Sequence, residues 1–272
     1  MTVVNDIIRL MEDVAPAQLA QEWDNSGLQC GDRNWPVKRV MVALDPSPSS
    51  ISAACKKNTD MLITHHPLIF QPLKNLILDT PLGKILELSI RHRLAIFSAH
   101  TNLDSVRNGL NDVFAEKIGL RNLTLLAGEK DPLPDRDNGG DGIGRVGKLE
   151  KPTTLASLSE KIKKEFALST LKISGVPDMP VQKIAVCTGS GSGLMKQFFG
   201  TDADVYISGD LKFHDAKDAE ARGRGLIDVG HFASEALMID LVARRLETLA
   251  GQRGLDIAVE AFHEEEDPFK YI

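Results

Sequence analysis

Apolar and polar residues alternate along this chain in two periods, one typical of helices and one typical of strands. Near the start, apolar side chains at Val4, Ile7, Ile8, Met11 and Val14 are separated by charged residues, which predicts an amphipathic helix rather than a signal peptide. Short runs of aliphatic and β-branched residues then alternate with helical patterns to the end of the chain. This alternation favours an α/β protein with largely parallel sheets.

Sequence signals bound the elements of the first half. The pattern predicts strands at 37–44, 61–64 and 94–98. Helices are expected to begin at Ser47-Pro48 and at Thr80-Pro81, because a hydroxyl side chain caps a helix and proline fits its first turn.

The second half repeats this alternation. Further elements are predicted as strands at 183–187, 204–208 and 225–229, a long helix at 232–250 and a last strand near 255–262. Residues 128–145 contain five Gly and two Pro and sustain neither period, so they are interpreted as a loop between two lobes.

Two segments of the first half are similar to segments of the second. Residues 37–40 match 181–184, and residues 60–64 match 204–208, both at an offset of 144 positions. The constant offset indicates that one fold has been duplicated.

Histidine and carboxylate residues follow three of the predicted strands. They are His65 and His66 after 61–64, His100 and Asp104 after 94–98, and His231 and Glu235 after 225–229. His231 and Glu235 are four positions apart where a helix begins, which puts them on one helical face. The carboxyl ends of strands are where open α/β sheets bind ligands.

Five of these residues are candidate metal ligands, namely His65, His66, Asp104, His231 and Glu235. Imidazole and carboxylate groups suit borderline divalent metals. Five ligands exceed one open tetrahedral site, whereas two ions that share them keep positions for water and substrate. Two carboxylates against two divalent ions leave net positive charge, which favours an anionic substrate.

Composition limits the other possible functions. The 272 residues carry a net charge of −6 and only 5% aromatic residues, so nucleic acid is not indicated as a partner. No run of about 18 apolar residues predicts a membrane span. The three cysteines have no CxxC spacing, which argues against disulfides and thiolate metal sites and favours a reducing, cytoplasmic location.

Two further segments have open interpretations. The glycine-rich run at 188–193 has backbone N–H groups that suit an anion at a helix N-terminus, but it lacks a Walker lysine. A tight strand-to-helix turn is the alternative. The polar segment around Trp23 is interpreted as a structured loop without its own chemistry.

Several motifs together resemble one known family. They are THHP at 64–67, AHTNLD at 99–104, GH-x3-E at 230–235, EWDNSGLQ at 22–29 and DPF at 267–269. The sequence resembles the NGG-interacting-factor-three-like family, whose bacterial members are commonly labelled GTP cyclohydrolase I type 2 homologues. Some members carry an inserted domain, and the loop at 128–145 is too short for one, so this chain resembles the uninserted form.

The resemblance implies an architecture. It implies two similar α/β lobes with mostly parallel sheets, here 1–127 together with 229–272 and 128–228, and a dinuclear metal site in the cleft between them. It also implies a toroidal homohexamer.

The resemblance further implies roles for the site residues. His65, His66, Asp104, His231 and Glu235 would hold two divalent ions per chain (Zn, Fe, Mn or Ni), with Glu235 as the bridge. His100 would be the catalytic residue beside them, either orienting a ligand or shuttling a proton. The implied activity is a cyclohydrolase-like hydrolysis of a nucleotide or related anion by metal-bound hydroxide. A two-metal phosphoesterase and a non-catalytic metal-binding ring or scaffold are the alternatives.

Overall fold

The computed structural model describes residues 1–127 and 141–270. The chain forms two units: unit 1 is Met1–Leu103 with Met238–Glu266, and unit 2 is Asp104–Leu237 with the segment that begins at Asp267. Residues 104–237 of unit 2 are thus inserted within unit 1 along the sequence. These units differ from the lobes drawn from the sequence at 104–127, at 229–237 and after 266, and those lobe limits stay a prediction. Most of the loop predicted at 128–145 lies outside the described residues.

The described residues form strands and helices in alternation. The strands are β1 (Gly27–Cys30), β2 (Arg39–Ala43), β3 (Met61–Thr64), β4 (Ala95–Ser98), β5 (Arg121–Leu125), β6 (Arg145–Thr154), β7 (Lys172–Ser174), β8 (Pro180–Ser190), β9 (Val205–Gly209), β10 (Gly225–Asp228) and β11 (Ala258–Ala261). The α-helices are α1 (Val4–Val14), α2 (Pro48–Lys56), α3 (Pro81–His92), α4 (Thr101–Ser105), α5 (Leu110–Ile118), α6 (Leu155–Glu165), α7 (Met195–Gly200), α8 (Phe213–Ala221), α9 (His231–Glu235) and α10 (Leu237–Gln252). Within 1–127 and 141–270, no helix has the length and apolar character needed to cross a membrane.

The predicted helix starts in the first half are confirmed. The Ser47 hydroxyl accepts the N–H of Ser50 at 3.2 Å, and the Thr80 hydroxyl accepts the N–H of Gly83 at 3.1 Å. Both caps satisfy an N–H group that has no partner inside its helix. They fix where α2 and α3 begin.

The sheet of unit 1 has the order β1-β4-β3-β2-β11. Its pairs are parallel except for β1, which runs antiparallel to β4. Apolar side chains of β2, β3 and β4 pack with those of α2 and α3 in one buried cluster. The three central strands therefore end together at one edge of the sheet.

The sheet of unit 2 has the order β5-β6-β8-β9-β10-β7. Only β8, β9 and β10 are parallel to one another, while β5, β6 and β7 pair antiparallel. The expectation of mostly parallel sheets is thus confirmed for unit 1 and wrong for unit 2. Strands β5 and β7 are largely polar and exposed, which antiparallel pairing tolerates. A search for uniformly apolar runs therefore finds only the buried parallel strands.

The two sheets share one arrangement of four strands. The order β1-β4-β3-β2 in unit 1 corresponds to β7-β10-β9-β8 in unit 2, with an antiparallel edge strand in each. Val40 pairs with Met61 in the first sheet and Ile184 with Val205 in the second, so the register also repeats at the offset of 144. This agreement supports the duplication indicated by the sequence.

Candidate metal centre

Three histidines of unit 1 lie together at the end of its parallel strands. His65 and His66 follow β3, and His100 follows the neighbouring strand β4. Their ring centroids are 5.2 Å apart for His65 and His66, 5.2 Å for His65 and His100, and 5.7 Å for His66 and His100. One ring nitrogen from each lies within 4.8 Å of the other two, a spacing that suits a common metal ion.

An oxygen acceptor holds the Nδ1 atom of each of these three imidazoles. The contacts, each 2.8 Å long, are His65 with the Ala99 carbonyl, His66 with the Asp45 carboxylate and His100 with the Asp24 carboxylate. A carbonyl or an ionised carboxylate only accepts hydrogen bonds, so each Nδ1 is the donor. In the neutral ring Nε2 then carries the lone pair. Histidines that bind metals are typically oriented in this way.

Asp24 connects His100 to the loop that precedes β1. Its carboxylate also accepts hydrogen bonds from the Thr101 hydroxyl at 2.5 Å, the Thr101 N–H at 3.1 Å and the Ser26 hydroxyl at 2.8 Å. Burial alone would raise the pKa of Asp24, but the hydrogen bonds from His100, Thr101 and Ser26 hold this pKa well below its usual range. Asp24 therefore stays ionised beside His100.

Neither of these two orienting carboxylates was predicted from the sequence. Asp45 comes directly after the strand predicted at 37–44, so the criterion that selected His65 and His66, a polar residue after a buried strand, would also have selected Asp45. No such signal marks Asp24, which lies 76 positions before His100.

In unit 2, His231 and Glu235 lie on one face of α9, as their spacing predicts. His231 Nε2 is 2.9 Å from a carboxylate oxygen of the buried Glu235, and its Nδ1 is 2.7 Å from Asp210. Because Asp210 accepts the Nδ1 proton, a neutral His231 presents a lone pair toward another acceptor. The short distance between His231 Nε2 and the Glu235 carboxylate becomes favourable when a cation binds there or when the ring carries a second proton. The imidazole and carboxylate groups therefore fit a metal ion.

Asp104 and Glu235 both contact the end of β8. The Thr188 hydroxyl donates to Asp104 at 3.1 Å, and the Gly189 N–H donates to Ser234 at 2.9 Å. Gly189 has a φ of +65°, and a Cβ atom at this position would lie 2.1 Å from Glu235 Oε1. Only glycine lets the backbone pass so close to the Glu235 carboxylate.

The structure favours the turn interpretation of the glycine-rich run at 188–193. The Gly189 N–H is bonded to Ser234, and the Gly191 N–H donates to the Gly209 carbonyl at 3.1 Å. These two N–H groups are thus used within the protein rather than directed to an anion. Gly191 also lies against Ser208 and Tyr206.

Cys187 lies near the same carboxylates. Burial raises the pKa of its thiol strongly, and the Asp104 and Glu235 carboxylates raise it further. In the absence of a cation this thiol is therefore protonated.

Each unit by itself brings some of the expected site residues together. Unit 1 unites His65, His66 and His100, and unit 2 places His231 against Glu235. His100 was expected beside the ligands, and its ring lies as close to His65 as the ring of His66 does. The complete ligand set and the role of His100 stay predictions.

Comparison with known proteins identifies the family. A family model described as Duf34/NIF3 (NGG1p interacting factor 3) matches residues 2–268. The chain belongs to this family. A Clostridium acetobutylicum protein named GTP cyclohydrolase 1 type 2 homolog is 33% identical over 268 residues, which cover 98% of each chain. The resemblance inferred from the motifs is confirmed.

Two further relatives allow the fold and the length of this NIF3 family member to be compared. A crystal structure of a Bacillus cereus protein related to NIF3 has a TM-score of 0.92 at 27% identity, and the match covers 100% of this chain and 99% of that one. A GTP cyclohydrolase 1 type 2 homolog of Halalkalibacterium halodurans is 27% identical over 365 aligned positions, with 98% of each chain covered. That relative has residues that this chain of 272 lacks, as expected for the uninserted form.

Proposed function

We propose that this NIF3 family member is a divalent-metal-dependent hydrolase that acts on a nucleotide or a related anion. The proposed ligands of two ions per chain are His65, His66, Asp104, His231 and Glu235, with Glu235 as the bridge. The names of the relatives, GTP cyclohydrolase 1 type 2 homolog, favour hydrolysis at a purine ring.

One observation carries the proposal. His65, His66, His100 and His231 each have Nδ1 at 2.7–2.8 Å from an oxygen acceptor, so each neutral ring offers Nε2. A histidine that serves only in packing has no need of this shared orientation. Four rings held alike support a function as ligands or proton acceptors.

The residues of the chain also suit the proton transfers of hydrolysis. Bound divalent ions would supply Lewis acidity and a lower pKa for water. His100 accepts a proton from the attacking water at Nε2 while its Nδ1–H stays donated to Asp24. The ionised Asp24 stabilises the resulting imidazolium, which then returns the proton to the leaving nitrogen.

The test begins with metal-free protein that is reloaded separately with Zn, Fe, Mn or Ni. Metal content is measured by elemental analysis, and each form is incubated with GTP. Release of formate with an intact triphosphate supports a cyclohydrolase. Release of inorganic phosphate supports the two-metal phosphoesterase instead, and no turnover with any metal favours a metal-binding scaffold. The matched control is His92→Ala, which replaces an exposed histidine at the end of α3.

Assembly and location complete the proposal. The family resemblance supports a toroidal homohexamer, and the three cysteines without CxxC spacing support a cytoplasmic location. Sedimentation at micromolar concentration tests the assembly, and a single monomer peak contradicts it.

A further inference from the structure

Two exposed aromatic side chains of unit 1 lie beside the histidine cluster. Trp23 is 59% exposed and Phe70 is 51% exposed. Their rings meet edge to face, with centroids 5.9 Å apart and an angle of 62° between the planes. The His100 ring lies 6.0 Å from the Trp23 ring and 6.5 Å from the Phe70 ring.

Hydrogen bonds link residues 25–29 to the segment that carries Phe70. The Asn25 amide donates to the Ile69 carbonyl at 2.6 Å, and the Gln29 carbonyl oxygen accepts the Ile69 N–H at 3.2 Å. The Gln29 amide also donates to the Asn25 carbonyl at 2.5 Å. The segment at 22–29 is thus tied to the residue that precedes Phe70. It therefore fixes the exposed aromatic pair as well as the Asp24 that orients His100.

The ring geometry indicates the kind of ligand. Because Trp23 and Phe70 contact each other edge to face, they form a one-sided surface rather than a slot between parallel rings. A planar ring that stacks on Trp23 lies near His100, because the centroids of the Trp23 and His100 rings are only 6.0 Å apart. Aromatic side chains bind nucleobases by such stacking, with little dependence on the base.

We propose that Trp23 and Phe70 form an aromatic platform that stacks a planar nitrogen heteroaromatic ring, of the size of a nucleobase or pterin, next to His100. This inference rests on the proposed function, since it names the part of the substrate that the same site recognises. The segment EWDNSGLQ then has a role that its sequence did not reveal. It carries the platform and orients His100.

The first experiment measures guanosine binding to metal-loaded protein. Trp35→Phe leaves Trp23 as the single tryptophan, and guanosine is expected to quench its fluorescence. By calorimetry, Trp23→Leu and Phe70→Leu are each expected to weaken guanosine binding ~10- to 100-fold, and Trp23→Phe to restore most of it. Binding of inorganic tripolyphosphate is expected to stay unchanged in all of these variants.

The matched control is Phe213→Leu in unit 2. Phe213 is 72% exposed and its ring also lies edge to face with a histidine, His214, at 5.4 Å. This substitution is expected to leave guanosine binding at the wild-type value. Circular dichroism and metal content verify that each variant is folded. The fluorescence test uses Trp23 itself as the reporter, so it needs no substitution of Trp23 or Phe70.

Three outcomes would overturn the proposal. Guanosine that fails to quench Trp23 would do so, as would equal guanosine affinity in wild type and Trp23→Leu. A changed sedimentation coefficient in Trp23→Leu, with unchanged guanosine binding, would assign this surface to contacts between copies of the chain.

Failure of the platform and failure of the hydrolase are distinguishable. Guanosine binding that depends on Trp23, without turnover of any nucleotide, supports the platform and contradicts the hydrolase. Turnover of GTP with an unchanged KM in Trp23→Leu supports the hydrolase and contradicts the platform.

Discussion

The carboxylate of Asp24 accepts a hydrogen bond from Nδ1 of His100 at 2.8 Å, although the two residues are 76 positions apart in the sequence. The side chain of Asp24 is fully buried, and that of His100 is 14% exposed. The contact fixes the tautomer of a ring that lies next to two further imidazoles. The ionised Asp24 carboxylate thus determines which nitrogen of His100 carries the proton.

Asp24→Asn is expected to reduce stability in a pH-dependent way. Because the pKa of Asp24 is lower in the folded protein, its carboxylate contributes stability above its unfolded pKa of ~3.9 and loses that contribution as the pH falls toward the folded pKa. We expect the free energy of unfolding to drop by about 1–3 kcal/mol at pH 7. The difference from wild type should shrink below about pH 4.

Urea unfolding at pH 7, 5 and 3.5 measures this effect. Asp178→Asn, at an exposed position of unit 2, is the control and should follow wild type at each pH. A difference between Asp24→Asn and wild type that grows on acidification would contradict the assignment.

Glu235→Gln is expected to lower the metal content from two ions per chain toward one. The substitution preserves size but removes the charge that a bridging carboxylate supplies to both ions. The double variant His231→Ala and Glu235→Ala should bind no metal while its circular dichroism stays close to that of wild type. Elemental analysis after reloading with a single metal gives the result, and Glu150→Gln is the exposed control. Full metal content in Glu235→Gln would rule out the bridge.

His100→Asn separates catalysis from metal binding. If His100 moves a proton, metal content should stay near the wild-type value while turnover falls ~10²–10⁴-fold. The measurements are elemental analysis and the rate with the substrate that the metal-loaded protein hydrolyses. Loss of a metal ion would instead make His100 a ligand together with His65 and His66. If neither the metal content nor the rate changes, His100 has only a structural role.

Gly189→Ala is expected to disturb the site without removing any candidate ligand. The added Cβ would lie 2.1 Å from Glu235 Oε1, and the φ of +65° disfavours a residue with a side chain. Metal affinity should fall, and unfolding should become easier by at least ~1 kcal/mol. Gly193→Ala is the matched control, because nothing lies within 4 Å of a Cβ atom there. Equal metal affinity and equal thermal midpoints in the two variants would show that Gly189 has no special role.

Much of the fold could be predicted from local pattern. The strand predicted at 61–64 coincides with β3, since this run is fully buried and uniformly apolar until Thr64. Serine and threonine caps located α2 and α3. Strands β5, β6 and β7 were missed because charged and polar residues interrupt any continuous apolar signal in them. The same omission led to the wrong expectation of mostly parallel sheets.

The candidate ligands were recognisable because side chains that can bind metals come shortly after buried strands in the sequence. His65, His66 and His231 each follow a buried strand, and this relationship can be seen in the sequence. Asp45 and Asp210, which orient His66 and His231, also follow strands, but the sequence does not show which imidazole each carboxylate faces. Asp210 lies 21 positions before His231, and a spacing of this kind is set by strand order rather than by any local repeat. Tertiary structure decides which carboxylate faces which imidazole.

The parallel pairing of β11 with β2 sets an order on biosynthesis. Val259 lies opposite Val40, so β2 gains this neighbour only after a segment 219 positions further along the chain has been synthesised. Until then one edge of β2 has unpaired backbone groups that are open to other chains. The described strands of unit 2 lie between Arg121 and Asp228 and are all synthesised earlier. The edge of β2 thus needs protection while the sheet of unit 2 is being synthesised. Truncation before Ala258 removes β11 and leaves this edge of β2 permanently exposed.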